Sequence, residues 1–188
     1  MMIRSKIRLR LNSRSLVRVL NHSEHKTGSM IHTEKAIDYQ VLDVSSTAFA
    51  AQGMIPVQYT CDGKNISPPL DMNNIPQDAK CLALIVEDPD APLKTWAHWL
   101  VWNIPLTHHI KEADIHGTEG CNDFQQQHYA GPCPPSGTHR YFFKVYALNA
   151  LLRLPADTKK AELEKAMSSH IIGFGELVGL YSRKQSFY

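Results

Sequence analysis

CLALIVEDPDAP, residues 81 to 92, is an apolar run that breaks directly into two carboxylates set among two prolines. The apolar part is too short for a core helix, is partly β-branched and ends at proline, so it reads as a buried strand feeding a stiff acidic loop. Proline fixes its own φ and holds the residue before it extended, which leaves Asp88 and Ala91 little freedom and makes Ala91-Pro92 a candidate for a cis bond. Asp88 and Asp90 can serve this loop in two ways. They either cap turns through nearby backbone N–H groups or present charge to a ligand.

Two more runs of the same kind flank the chain's middle, AHWLVWNI (97 to 104) and YFFKVYAL (141 to 148). Tyr39 to Val44 reads as a first strand, and DGKNISPPL (62 to 70) and NNIPQDAK (73 to 80) carry the Asn, Gly and Pro chemistry of turns. One stretch is helical, about Thr158 to Ile171. Asp157 or Thr158 would be its N-cap, with Leu163, Ala166, Met167 and His170 recurring on one face. The pattern predicts a mostly β domain over residues 31–188, with one or two peripheral helices and no repeat of propeller or solenoid type.

The 188 residues suffice for one core, with 20 Lys/Arg against 18 Asp/Glu. Seven of those bases and only one acid lie in residues 1 to 29, leaving a mildly acidic body of 13 bases and 17 acids. Duplex binding draws on clustered Lys/Arg, so the body argues against a nucleic-acid face. Residues 1–30 have apolar runs of at most three residues, too short for a signal-peptide core or a membrane span, and read as a basic, disordered extension of a cytoplasmic protein. An organellar transit peptide, a basic arm for anionic surfaces and a start at Met2 or Met30 are the alternatives. Cys61, Cys81, Cys121 and Cys133 are spaced 20, 40 and 12 apart, without CxxC or zinc-finger spacing. No metal is expected. Reduced thiols are the default without a secretory signal, and a disulfide is open if the compartment oxidises.

The chemistry gathers at strand ends. In Trp96-Ala97-His98-Trp99-Leu100-Val101-Trp102, alternation places His98, Leu100 and Trp102 on one side and Trp99 and Val101 on the other. A lone histidine in an apolar strand is commonly satisfied by one backbone carbonyl. The acidic loop just upstream shifts the reading of His98 toward a ligand. A second stiff loop, Gly131-Pro132-Cys133-Pro134-Pro135-Ser136-Gly137, delivers His139, Arg140 and Tyr141 to another strand start. If the strands are neighbours, two carboxylates and two imidazoles converge. A carboxylate would fix the imidazole tautomer and raise its pKa, and imidazolium, the Tyr141 hydroxyl and loop N–H groups would hold a phosphate or carboxylate beside Trp96.

These stretches resemble the phosphatidylethanolamine-binding protein family, in its bacterial and archaeal Raf-kinase-inhibitor-like branch. The resemblance spans about Gln52 to Arg183. It rests on TCDGKNISPPL (60 to 70), ALIVEDPDAP (83 to 92), WAHWLVWNIP (96 to 105), NDF (122 to 124) with YAGPCPPSGTHRYFFKVYAL (129 to 148), and GELVGLYSR (175 to 183). It implies a two-sheet, sandwich-like β fold and a small surface pocket for anionic groups: phosphate, a phospholipid headgroup or a carboxylate. Carried over by position, the pocket is Asp88, Asp90, Pro92, Trp96, His98, Gly131, Pro135, His139 and Tyr141. Two departures stand out. Gln125-Gln126-Gln127 replaces a more glycine-rich loop, and the C-terminal extension that closes the pocket in eukaryotic relatives is not evident, which implies a more open pocket.

A binding protein with no cofactor is therefore expected, not an enzyme. GxSxG, Walker A and HExxH motifs do not occur, and Gly173 to Gly179 fails the dinucleotide fingerprint in spacing and in following a helix. The rival readings are a protein-interaction module, protease or kinase inhibitor-like, acting through the pocket rim, and, more remotely, a hydrolase or metal site built on the Asp/His cluster.

Overall fold

The computed structural model describes residues 9–12, 16–19 and 38–183, with side chains from Tyr39 on. Its centre is the strand read first, Cys81–Asp88 (β6), all eight residues of which are buried. It pairs antiparallel with Trp96–Ile104 (β7) on one side and Thr138–Leu148 (β10) on the other. A strand covered on both faces reads as a continuous apolar run, and that is why CLALIVE shows no alternation.

Ile171–Ser182 (β11) pairs along β10 and is the longest strand, at 12 residues. The sequence did not announce it, because Gly173, Gly175 and Gly179 dilute its apolar pattern. Gly175 is required by close approach. A Cβ there would lie 2.3 Å from the Leu42 carbonyl oxygen.

The expected first strand, Tyr39 to Val44, is two. Asp38–Val41 (β3) runs parallel to β11 in the large sheet, and Asp43–Ser45 (β4) pairs with Leu70–Asn73 (β5) in a small one. Leu42 is the crossing point, its N–H donating to Phe174 O at 2.9 Å. His109–Ile110 (β8) completes the small sheet and Thr118–Glu119 (β9) edges the large one beside β7. Leu9–Asn12 (β1) and Leu16–Val19 (β2) pair with each other, and β2 with β3. Most of the 1–30 segment expected to be disordered lies outside the described residues.

The two sheets enclose one core layer, in which Leu70, Met72 and Ile110 of the small sheet meet Leu84, Val86, Trp99, Phe143 and Val145 of the large. The large sheet's other face holds Cys81, Ile85, Leu100 and Trp102, covered by Leu163 and Met167 of the helix Lys160–Met167 (α1). Lys144 of β10 and Lys160 of α1 both pair with the buried Glu87 carboxylate and dock the helix.

The helix is shorter than the expected Thr158 to Ile171, and its N-cap is Lys159, not Asp157 or Thr158. Glu162 accepts the Lys159 N–H at 2.9 Å. Thr158 is spent elsewhere, its N–H on Pro155 O and its carbonyl on Cys121 N–H, and the chain is already extended again from Ile171. Among the described residues, no helix is long and apolar enough to cross a membrane.

Candidate anion site at the strand ends

The site forms where β6 ends and β7 and β10 begin, which places both proline-bounded loops at one edge of the core. Asp88 is the first residue of the acidic loop and His139 the second of β10. The His139 Nδ1 lies 2.7 Å from Asp88 Oδ2, with side chains only 10% and 5% exposed. Asp88 accepts from Nδ1–H, which fixes the tautomer as expected and leaves Nε2 as the free ring nitrogen. Its other oxygen takes the Asp90 N–H at 2.8 Å. One Asp88 carboxylate thus both caps the turn and holds His139.

Asp90 turns away to Arg140, which binds it through Nε and Nη2 and also donates its backbone N–H. These charge-assisted bonds from Arg140 hold the Asp90 carboxyl down to about 2. A carboxyl whose folded pKa is depressed contributes stability that is present above its unfolded value and lost as pH falls. We therefore expect Asp90→Asn to cost about 1–2 kcal/mol at pH 7, discounted because Arg140 is half exposed, and the difference from wild type to shrink between about pH 4 and about pH 2. Urea midpoints measured across that range check this. A gap that stays constant with pH would assign the cost to packing instead.

His98 corrects the sequence reading twice. First, Val86 pairs with Trp99 and Glu87 with Ala97, so His98 is the extra residue of a β-bulge. The bulge breaks the alternation. Leu100 and Trp102 face the helix, whereas His98 stacks edge-on against Tyr141 of the inter-sheet layer, with centroids 5.3 Å apart. Second, burial pushes the His98 pKa down, outweighing the Ala130 carbonyl and Asp88, which act to raise it. The His98 Nδ1–H donates to Ala130 O at 2.7 Å, and burial disfavours the charged form of the ring.

Of the other expected members, Tyr141 is fully buried and Trp96 partly so. The Trp96 Nε1 and the Tyr141 hydroxyl are buried and have no hydrogen-bond partner among the described residues. Burial, then the nearby Asp88 charge, push the Tyr141 pKa up, so its phenol keeps its proton. Gly131 packs against the turn before Ile66. Its N–H donates to Asn65 Oδ1 at 2.7 Å, and a Cβ would come within 2.4 Å of Tyr59 O. Pro92 and Pro135 are exposed on their loops, and the Ala91-Pro92 bond is trans. Asp88, His98, His139 and Tyr141 are each at most 8% exposed.

Three features escaped the sequence reading. Cys61 and Cys133 form a disulfide, where reduced thiols were the default, because the turn after Tyr59 and the second proline loop bring their Cα atoms to 5.4 Å. Their separation of 72 residues gives no hint of it. Asn122, 4% exposed, gathers the intervening loop. It donates to His98 O and His128 O and accepts the N–H groups of Phe124 and Gln126. The loop then lays Phe124 edge-on against both His98 and Trp96, with centroids 5.2 and 5.6 Å apart. The NDF triplet was visible as a motif, but its partners are distant in sequence.

The chain is thus a two-sheet β domain with a His–Asp pair buried between two proline loops. Residues 45–182 match the phosphatidylethanolamine-binding protein family model, and the chain belongs to that family. A UPF0098 protein of Pyrococcus abyssi is 49% identical over 150 residues, covering 74% of this chain and 84% of the relative. Another, of Methanothermobacter thermautotrophicus, is 45% identical over 150 residues, covering 76% of this chain and 99% of that one. Among solved structures, a phosphatidylethanolamine-binding protein homologue of Chlamydia trachomatis superposes with TM-score 0.74 at 38% identity, covering 77% of this chain and 99% of that one. Escherichia coli YbcL gives TM-score 0.71 at 28% identity, covering 76% and 99%.

Proposed function

We propose that this chain is a binding protein that holds a small anionic group, a phosphate, phospholipid headgroup or carboxylate, between the acidic loop and the second proline loop. The observation that carries the reading is that two of the three buried donors without acceptors among the described residues, Trp96 Nε1 and the Tyr141 hydroxyl, stand on either side of His98 and Phe124, the third being Trp102 Nε1 on the helix-facing side. A buried donor left unpaired costs about 1–3 kcal/mol, and an anion's oxygens are the acceptors that would recover it. His139 adds a third donor through Nε2 when protonated, with Asp88 behind it stabilising the imidazolium. Neutral His98 presents a lone pair instead, which suits a ligand oxygen that still carries its proton.

The same reading assigns no turnover to the site. Among the described residues the imidazole Nδ1 atoms of His98 and His139 meet Ala130 O and Asp88 rather than a serine or cysteine. The family name supports binding, and the chemistry of the site supports an anion.

The test is a titration of the His98 and His139 ring resonances with phosphoethanolamine, and separately with inorganic phosphate, at about pH 5.5 and about pH 7.5, either side of the ordinary imidazole value of about 6.5. Saturable shifts in both rings are expected, with tighter binding at the lower pH. Absence of any shift at either pH would leave the cluster as scaffold and move the assignment to a protein-interaction module.

A further inference from the structure

Large apolar side chains on the surface are usually scattered, and a cluster of them beside a polar site calls for a partner. Leu93 is 94% and Phe124 41% exposed, and they stand on two different loops. These loops are pinned to each other. Lys94 bonds Asp123 at 2.7 Å, Asp123 also accepts the Ala97 N–H at 2.7 Å, and Asp123 N–H donates to Ala97 O at 2.9 Å. Lys94 Nζ lies over the Trp96 ring, 5.1 Å from its centroid. Asn122 fixes the backbone of the Phe124 loop from below. Phe124 packs edge-on against His98, which is 3% exposed. Phe124 therefore stands against His98 and Trp96 on a loop whose backbone is set before any ligand arrives.

We infer that Phe124, with Leu93 exposed on the neighbouring loop, is a specificity-determining wall that makes the site select phosphomonoesters with an apolar substituent over bare phosphate or esters with a polar one. This rests on the anion reading above and adds the chemistry of the group attached to the anion. The phosphate would take the buried donors. The substituent next to it would leave water against Phe124 and the exposed face of Leu93, and an aromatic substituent would gain an edge-to-face contact as well.

Calorimetric titration with three probes tests it: inorganic phosphate, phosphoethanolamine and phenyl phosphate, on the wild type, Phe124→Ala, Phe124→Leu and Leu93→Ser. The wild type should bind phenyl phosphate about five- to tenfold more tightly than either other probe, the size of one aromatic contact. Phe124→Ala should bring that ratio to about one, Phe124→Leu should restore part of it, and Leu93→Ser should lower it by a smaller factor. Phosphate binding with no preference for phenyl phosphate, or a preference that survives Phe124→Ala, would overturn the wall while leaving the anion site standing. Failure of all three probes on the wild type would overturn the site itself, and the wall with it.

Discussion

Asp88→Ala is expected to destabilise the protein by about 3 kcal/mol and to abolish anion binding, because two charge-assisted hydrogen bonds end on that carboxylate inside the core. One oxygen holds His139 Nδ1 and the other the Asp90 N–H, at 2.7 and 2.8 Å. With a side chain only 5% exposed, water has little room to replace either bond. Asp88→Asn separates the two effects. It keeps the volume and one acceptor, so it should recover part of the stability while leaving no charge to stabilise a His139 imidazolium. Urea unfolding at pH 7 reads the first effect, and nitrogen NMR of the His139 ring reads the second, since the Nδ1–H tautomer should no longer be fixed. A loss of stability below about 1 kcal/mol would mean the pair is wetter than its burial implies.

Reduction of the Cys61–Cys133 bridge should cost about 4 kcal/mol, the loop-closure value for a cross-link spanning 72 residues. Most of that acts on the unfolded chain. The folded loops are also held by Cys61 N–H on Pro132 O, the Tyr129 hydroxyl on Tyr59 O and Gly131 N–H on Asn65. The reduced protein and the Cys61→Ser, Cys133→Ser double variant should therefore keep the fold but unfold at a lower urea concentration. Thiol counting makes the prediction decisive. The unreduced, denatured chain should show two reactive thiols, Cys81 and Cys121, rising to four after reduction. Four thiols before reduction would remove the bridge. Persistent bridges belong to oxidising compartments or to intracellular proteins of hyperthermophiles, so the same count bears on the cytoplasmic location expected from the sequence.

The two predictions differ in how far sequence could have reached them. Asp88 and His139 stand at strand ends beside proline-bounded loops, and both were legible as candidate site residues before any contact was known. The cysteines were legible only as residues. Nothing in a spacing of 72 says which loops meet.

The sequence by itself determined the strands that are buried on both faces and the rigid loops that follow them. Continuous apolar runs such as CLALIVE and the φ restriction of proline are local properties, set by solvent exclusion and sterics within a few residues. Tertiary structure alone decided the rest. It split the first strand at Leu42 between two sheets, drew the glycine-diluted Ile171–Ser182 into the longest strand and shortened the helix. It also turned His98 by a bulge from the helix-facing layer toward Tyr141, where burial pushes its pKa down. Each of these is settled by what lies across the core, through register, desolvation or close approach of a distant backbone, and a residue's neighbours in sequence carry none of that information.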